Sequence, residues 1–344
     1  MGGAGEAWPG DLAAGLYALT PPVEIAPLDK RGGSNNDVRV VRTGAGQFLW
    51  KRYLTHADPA RILAEHRLLA WLDAAGLPFA VPAPLRTRDG ATLTAHDGGT
   101  GWRALFAWLP GGPLDRGDPA TIAALGAALG ALHTTLARLP PDLHPALTPY
   151  GDLGQVHPRL PAPATLTPPD LGLPDSAPHR EQLAAWRALL AGLGRFIDGP
   201  YRALPRQVIH GDFGPGNALA AGARITALLD FEFALYDARA LDVAAGLSLV
   251  TRIWEWAPPA SLALADAFCR GYARTGTLTP AEIAALPRLQ LLREVVSAIW
   301  WLGRALAAGE VHQRLDRLAD LRALDRWLAE HGAALVAIAT RAFE

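Results

Sequence analysis

The rhythm of apolar and polar residues changes once along the chain. In the first hundred residues, apolar positions come in short runs. Val23 to Leu28 is a short apolar run, Asp37 to Arg42 alternates roughly apolar and polar, and Gln47 to Tyr53 is rich in strand formers. The turn Thr43-Gly44-Ala45-Gly46 joins the last two into a predicted hairpin. Asp58-Pro59 is an N-cap followed by proline at the first helical position. The helix it starts is predicted to reach about Ala75, with Leu63, Leu68, Leu69 and Leu72 on its apolar face, and Gly76 with Pro78 stops it. Thr92–Ala95 and Trp102–Trp108 read as two further strands. After Leu109-Pro110-Gly111-Gly112-Pro113 the spacing becomes helical, with Ala/Leu patterns over residues 119–139, 179–198, 260–275, 280–308 and 313–342. The stretch from Pro140 to Pro178 holds eleven of the 29 prolines and reads as a loop or insert. The pattern predicts an α+β protein of two lobes: residues 1–108 as an antiparallel sheet with one helix, and residues 109–344 as a mostly helical lobe carrying the Pro-rich insert 140–178.

Composition narrows the function. Half of the 344 residues are hydrophobic, so a sizeable core can form. Lys+Arg is 32 against 33 Asp+Glu, which leaves no basic excess for a nucleic acid or an anionic membrane. The longest apolar stretches, such as Ile122 to Leu139, contain His133 and Arg138 and read as buried helices, not spans. With no export signal recognisable in the first twenty residues, the expected location is the cytoplasm. A single cysteine, Cys269, excludes an internal disulfide and a thiolate-rich zinc site. Of the 32 basic residues only Lys30 and Lys51 are lysines.

The chemistry concentrates in Val208-Ile209-His210-Gly211-Asp212-Phe213-Gly214-Pro215-Gly216-Asn217. A short apolar strand delivers His-Gly-Asp, and a Gly/Pro-rich loop leads to an asparagine. A second apolar strand, Ile225 to Leu229, ends in Asp230-Phe231-Glu232, thirteen residues beyond Asn217. This layout puts Asp212, Asn217 and Asp230 at the ends of adjacent strands. One carboxylate can then orient and deprotonate a hydroxyl, while an amide oxygen and a second carboxylate hold Mg²⁺, a hard ion that prefers oxygen ligands. Phosphoryl transfer needs this combination, because its catalysis is mostly positioning and charge neutralisation.

His210-Gly211-Asp212-x-x-x-x-Asn217 followed by Asp230-Phe231-Glu232 resembles the signature of the aminoglycoside phosphotransferase-like small-molecule kinases, which include choline and homoserine kinases and share the bilobal protein-kinase fold. The resemblance spans residues 20–310. It implies ATP and Mg²⁺ as cofactors, Asp212 as catalytic base, Asn217 and Asp230 as metal ligands with Glu232 as a further one, and His210 as a structural brace. Gly32-Gly33-Ser34-Asn35-Asn36 resembles the loop that covers the phosphates, where small residues let backbone N–H groups approach. Lys51 matches the phosphate-contacting lysine, and Glu65 on the following helix matches its ion-pair partner. Lys30 reads as a surface charge. Phe106-Ala107-Trp108-Leu109-Pro110-Gly111 resembles the interlobe hinge, which makes Trp108 and Leu109 adenine-site candidates. His133 resembles a packed structural histidine. Asp242 resembles a structural acid that bonds the catalytic loop, and Asp237 fits either a structural or a pocket role.

The acceptor pocket of that family is built from helices after the metal strand. Trp254, Glu255 and Trp256, with Trp300 and Trp301, are candidates for its wall, and aromatic walls with an acid suit a cationic amine. Since adjacent helical residues do not share one face, Trp300 or Trp301 is expected in the core. His-Gly-Asp in place of His-Arg-Asp, and no Asp-Phe-Gly, favour a small-molecule acceptor over a protein. The expected protein is therefore an ATP- and Mg²⁺-dependent kinase, monomer or homodimer, acting on the hydroxyl of a homoserine-, choline- or aminoglycoside-like metabolite. The rival readings are a Ser/Thr protein kinase of the same bacterial family and a non-catalytic nucleotide-binding regulator.

Overall fold

Two eight-residue strands, β2 (Asn36–Thr43) and β3 (Gly46–Tyr53), form the predicted hairpin, paired in register from Asn36 with Tyr53 to Thr43 with Gly46. They belong to a computed structural model that describes residues 15–28, 35–56, 58–95, 101–251 and 256–344. β1 (Val23–Pro27) flanks β2, β5 (Trp102–Ala107) flanks β3, and the short β4 (Thr94–Ala95) closes an antiparallel sheet of order β1-β2-β3-β5-β4. β3 is thus central, and alternation along it sends successive side chains to opposite faces. Phe48 and Trp50 pack with Tyr17, Val41 and Leu105 in a small cluster on one face. Leu49 and Tyr53 pack into the main core on the other, and Lys51 shares that face by period.

Helix α1 (Pro59–Ala74) covers that second face. Asp58 caps it by accepting the Ala60 N–H at 2.9 Å, and Pro59 opens its first turn. Its buried stripe is Ile62, Glu65, His66, Leu68, Leu69 and Leu72. Leu63, expected on the apolar face, is 42% exposed instead, because the stripe starts one position earlier at Ile62.

The rest of the chain is mostly helical: α2 (Pro119–Leu136), α3 (Ala177–Asp198), α4 (Ala240–Thr251), α5 (Pro258–Ala273), α6 (Pro280–Ala308) and α7 (Asp316–Phe343). α2 has the length and apolarity of a membrane span, yet 61% of it is buried inside the protein. α4 has no counterpart among the expected helices; it is apolar nearly all round and buried, so no amphipathic period marks it. The Pro-rich stretch is ordered by four 3₁₀ turns, at Pro141–Leu143, Leu153–Gln155, Pro163–Thr165 and Pro169–Leu171. Leu160, Leu166 and Leu171 anchor it in the core, and Trp186 of α3 donates its Nε1 hydrogen to the Pro163 carbonyl at 2.7 Å.

Two small two-stranded antiparallel sheets carry the motif residues. β6 (Arg206–Ile209) pairs with β9 (Leu235–Ala238), and β7 (Ala218–Ala221) pairs with β8 (Arg224–Leu228), all antiparallel. β8 is also stitched to the segment after α1. Ala80 N–H donates to the Thr226 carbonyl at 2.9 Å, and Leu228 N–H donates to the Ala80 carbonyl at 3.0 Å. Gly112 exchanges two backbone bonds with Ala220, each 2.9 Å.

Candidate active site

The loop after β6 is held by a carboxylate behind it. Asp242, at the start of α4, accepts the N–H of His210 at 2.7 Å and that of Gly211 at 2.9 Å, and it meets His133 Nε2 at 3.2 Å. The ring of His210 ties the loop to the next strand: its Nε2 lies 2.8 Å from the Leu229 carbonyl, and its Nδ1 lies 3.3 Å from the Asp212 N–H. A backbone donor at Nδ1 requires the neutral tautomer with the proton on Nε2. Gly211 adopts φ +82°, and a Cβ there would sit 2.1 Å from the Phe233 carbonyl oxygen, so only glycine fits.

Asp212 emerges from this brace with its side chain about one-third exposed at 35%. Its Oδ1 takes an Arg293 guanidinium hydrogen at 2.7 Å, and its Oδ2 takes the Asn217 amide at 3.1 Å. Asn217 Nδ2 also donates to the Asp212 carbonyl at 2.8 Å. The amide nitrogen is therefore committed, which leaves Asn217 Oδ1 as an oxygen donor for a cation. Asp230 follows β8 in a left-handed conformation with φ +62°, a region that aspartate tolerates better than most residues. Burial, and then the charge of Glu232, pushes its carboxyl up to about 7. A buried carboxylate beside a second acid has much to gain from a cation. Among the described residues no three His, Cys, Asp or Glu side chains converge into a closed metal cage. Asn217 and Asp230 fit instead a hard cation that takes few protein oxygens and completes its shell with water and phosphate.

Lys51 faces this acid group. Its Nζ lies 3.6 Å from Glu65 and 3.8 Å from Glu232. Burial works against the ammonium, but Glu65, Glu232 and Asp230 outweigh it and hold the Lys51 pKa above its ordinary value. Glu232 does not turn a free carboxylate toward Asn217. It accepts the side-chain amides of Asn35 at 2.6 Å and Asn36 at 3.0 Å, and these bonds with Lys51 outweigh burial and lower its pKa. The two asparagines thus tie the end of the glycine-rich turn to the acidic segment. Gly33 and Ser34, with Lys30, lie outside the described residues, as do Trp254 and Glu255.

A cavity of about 730 Å³ opens beside Asp212, Asn217 and Asp230. Its far wall is α6, which supplies Arg293, Glu294, Trp300 and Trp301. Both tryptophans line it, contrary to the expectation that one would be core: the cavity wraps the helix widely enough to take two positions about 100° apart. Trp300 stacks on His56 with centroids 5.3 Å apart. The Pro-rich segment closes another side with Pro149, Tyr150 and Asp152, and the Tyr150 hydroxyl donates to the Gly211 carbonyl at 3.0 Å. Trp256 lies away from the cavity and packs against the core. Asp237 also lies outside it; it is fully buried and takes bonds from the Tyr201 hydroxyl, Arg206 and the Tyr150 N–H at 2.5, 2.8 and 2.9 Å. It braces the Pro-rich segment against β9. Trp108 and Leu109 lie in the connection after β5, with Trp108 42% exposed, and neither borders the cavity.

Sequence patterns alone missed Arg293, Glu294 and Arg61. Arg293 and Glu294 are the only charges in the mostly apolar helical run Leu289 to Trp301, and a charged pair in such a place was the available signal. Arg61 donates from α1 to the Glu232 carbonyl at 2.9 Å.

Known proteins match this chain in sequence and in fold. The model of the APH phosphotransferase enzyme family matches residues 28–292. A homoserine kinase of Acidiphilium cryptum (strain JF-5) is 31% identical over 259 residues, covering 75% of this chain and 74% of the relative. The solved structure of a microcompartment-associated aminopropanol kinase superposes with a TM-score of 0.71 at 18% identity, over 94% of this chain and 98% of that one. An amicoumacin kinase solved in complex with AMP-PNP, Ca²⁺ and Ami gives 0.65 at 18% identity, over 90% and 92% of the two chains. The bilobal kinase-like fold is shared with small-molecule kinases, and the chain belongs to the APH phosphotransferase enzyme family.

Proposed function

We propose that the protein transfers the γ-phosphoryl group of ATP, with Mg²⁺, to the hydroxyl of a small metabolite of the homoserine, choline or aminoglycoside kind. The observation that carries this reading is Asp212, whose two oxygens are fixed by Arg293 and Asn217 at the edge of the cavity. A carboxylate so held can orient an acceptor hydroxyl and receive its proton. The acceptor oxygen then bonds to the γ-phosphorus, the bridging P–O bond to the β-phosphate breaks, and ADP leaves. Lys51, kept charged by Glu65 and Glu232, would hold phosphate oxygens. Asn217 Oδ1 and Asp230 would hold the divalent ion, which neutralises phosphate charge when bound. Trp108 and Leu109, in the connection after β5 and outside that cavity, would supply the backbone edge for adenine. The homoserine kinase relatives and the nucleotide and Ca²⁺ in the amicoumacin kinase support the reaction class. The Pro-rich segment narrows the cavity to small-molecule size, which favours a metabolite over a protein acceptor.

The test measures ADP release with ATP and Mg²⁺ over a panel of alcohols, with wild type and Asp212→Asn. Wild type should show acceptor-stimulated turnover, and the variant should lose at least about 10²-fold in kcat, the usual weight of general-base catalysis. Wild-type turnover in the Asp212 variant would remove the site assignment.

A further inference from the structure

The acceptor side of the cavity holds positive charge that phosphoryl transfer does not use. Three guanidinium groups gather around the Trp301 ring: Arg314 at 5.0 Å, Arg304 at 5.2 Å and Arg317 at 5.7 Å from its centroid. Arg304 turns to the Asn35 side-chain oxygen. Arg317 lines the cavity and is half-buried. Among the described residues, neither Arg314 nor Arg317 has a carboxylate within ion-pairing distance. Burial and then the adjacent Arg314 disfavour the charge of Arg317. A guanidinium lining a cavity beside two like charges has most to gain from an anion.

The indole is also unsuited to the cation its residue type suggested. Its ring already carries guanidinium groups, so a cationic acceptor would have to displace an arginine or lie beside one. The route from Arg317 to Asp212 is short. Glu294 and Arg293 are the next charges that Arg317 feels after Arg314, and Arg293 grips Asp212. Glu294 spends its Oε1 on Ser248 at 2.9 Å and Arg293 at 3.0 Å. Along α6, Arg293 and Trp301 are eight residues apart, about 12 Å of axis, within the span of a small acceptor and the two side chains that would hold it.

We propose that the acceptor carries a carboxylate remote from its reacting hydroxyl, and that Arg317, backed by Arg314 on the Trp301 ring, is the residue that binds it. The inference rests on the kinase reading above and adds the acceptor's charge to it.

Pairs of alcohols that differ only by a carboxylate provide the test: L-homoserine with 3-aminopropan-1-ol, L-serine with ethanolamine, and glycerate with ethylene glycol. The readout is the ratio of kcat/KM within each pair, in wild type, Arg317→Met, Arg317→Lys and, as a control, Arg288→Gln, an exposed α6 residue paired with Asp325. Wild type should favour the carboxylate member of at least one pair by tenfold or more. Arg317→Met should cut that ratio at least about tenfold, mainly through KM, as loss of a charged hydrogen bond does. Arg317→Lys should restore part of it, and Arg288→Gln should keep the wild-type ratio. A wild-type preference for the alcohols that lack the carboxylate, or a ratio that survives in Arg317→Met, overturns the carboxylate site and leaves the kinase reading standing. No turnover of any alcohol, with or without a carboxylate, overturns both.

Discussion

His66 lies buried between β3 and α1, with its Nε2 2.9 Å from the Tyr53 hydroxyl and its Nδ1 2.9 Å from Thr92 Oγ1. Burial, and then the nearby Lys51 charge, lowers its pKa to about 3 from 6.5. The sign follows from linkage: below pH 6.5 the unfolded chain takes up a proton that the folded chain refuses. Stability is therefore intact above 6.5 and falls as the pH drops toward 3. From this residue alone the loss should be about 2 kcal/mol between pH 7 and pH 5. Urea unfolding at both pH values should show that difference shrink in His66→Gln; an equal acid loss in the variant would place the effect elsewhere. At this scale the sequence was legible where residue type is restrictive. Lys51 was conspicuous as one of two lysines, and Glu65 lay one helix away. Its side chain points inward because β3 is central in the sheet, and only strand order reveals that. Glu232 was the opposite case: its acid character was plain, but its engagement with Asn35 and Asn36 crosses nearly 200 residues of sequence.

The closest helix crossing shows what elements require. α2 and α5 approach so tightly that a Cβ on Gly271 would lie 1.9 Å from the Ala123 carbonyl oxygen, and one on Gly126 would lie 2.2 Å from that of Phe268. Backbone cannot give way as a side chain can. Gly271→Ala should cost about 3 kcal/mol, at the upper end for overpacking, and lower the melting temperature by several degrees. Gly192→Ala, in α3 with open space around it, should instead stabilise by about 0.5–1 kcal/mol through helix propensity. Calorimetry on the two variants reads both signs, and equal behaviour would mean that the crossing relaxes freely. Most helices were legible because their apolar stripes face one core. α4 was not, since it is covered on nearly every side, and the Pro-rich segment offered no period from which its anchoring could be foreseen. The charged pair on α6 was visible as an interruption, but its role depends on which helix the catalytic loop meets.

One hydrophobic core runs through the molecule, from Tyr53 and Leu68 beneath the sheet to Ile338 and Ala339 in the last helix. Among the described residues, the sheet therefore has no core of its own beyond the small cluster around Trp50. Far-UV dichroism and tryptophan fluorescence should follow one coincident urea transition; two separated transitions would show that the sheet unfolds independently. The near-neutral net charge fits the same picture, since attraction for an anion must come from local groups such as Lys51 and Arg317. The stitching of β8 to Ala80, and of Gly112 to Ala220, then has a mechanical meaning. It is a fulcrum. Any rigid swing of the sheet away from the helices would move a residue just beyond β8, such as Asp230, least, and the far lip, where Asn35 meets Arg304, most. Opening of that kind would be jaw-like: the Asp230 carboxylate would keep its place near the pivot while the lip beside Arg304 parted over the cavity.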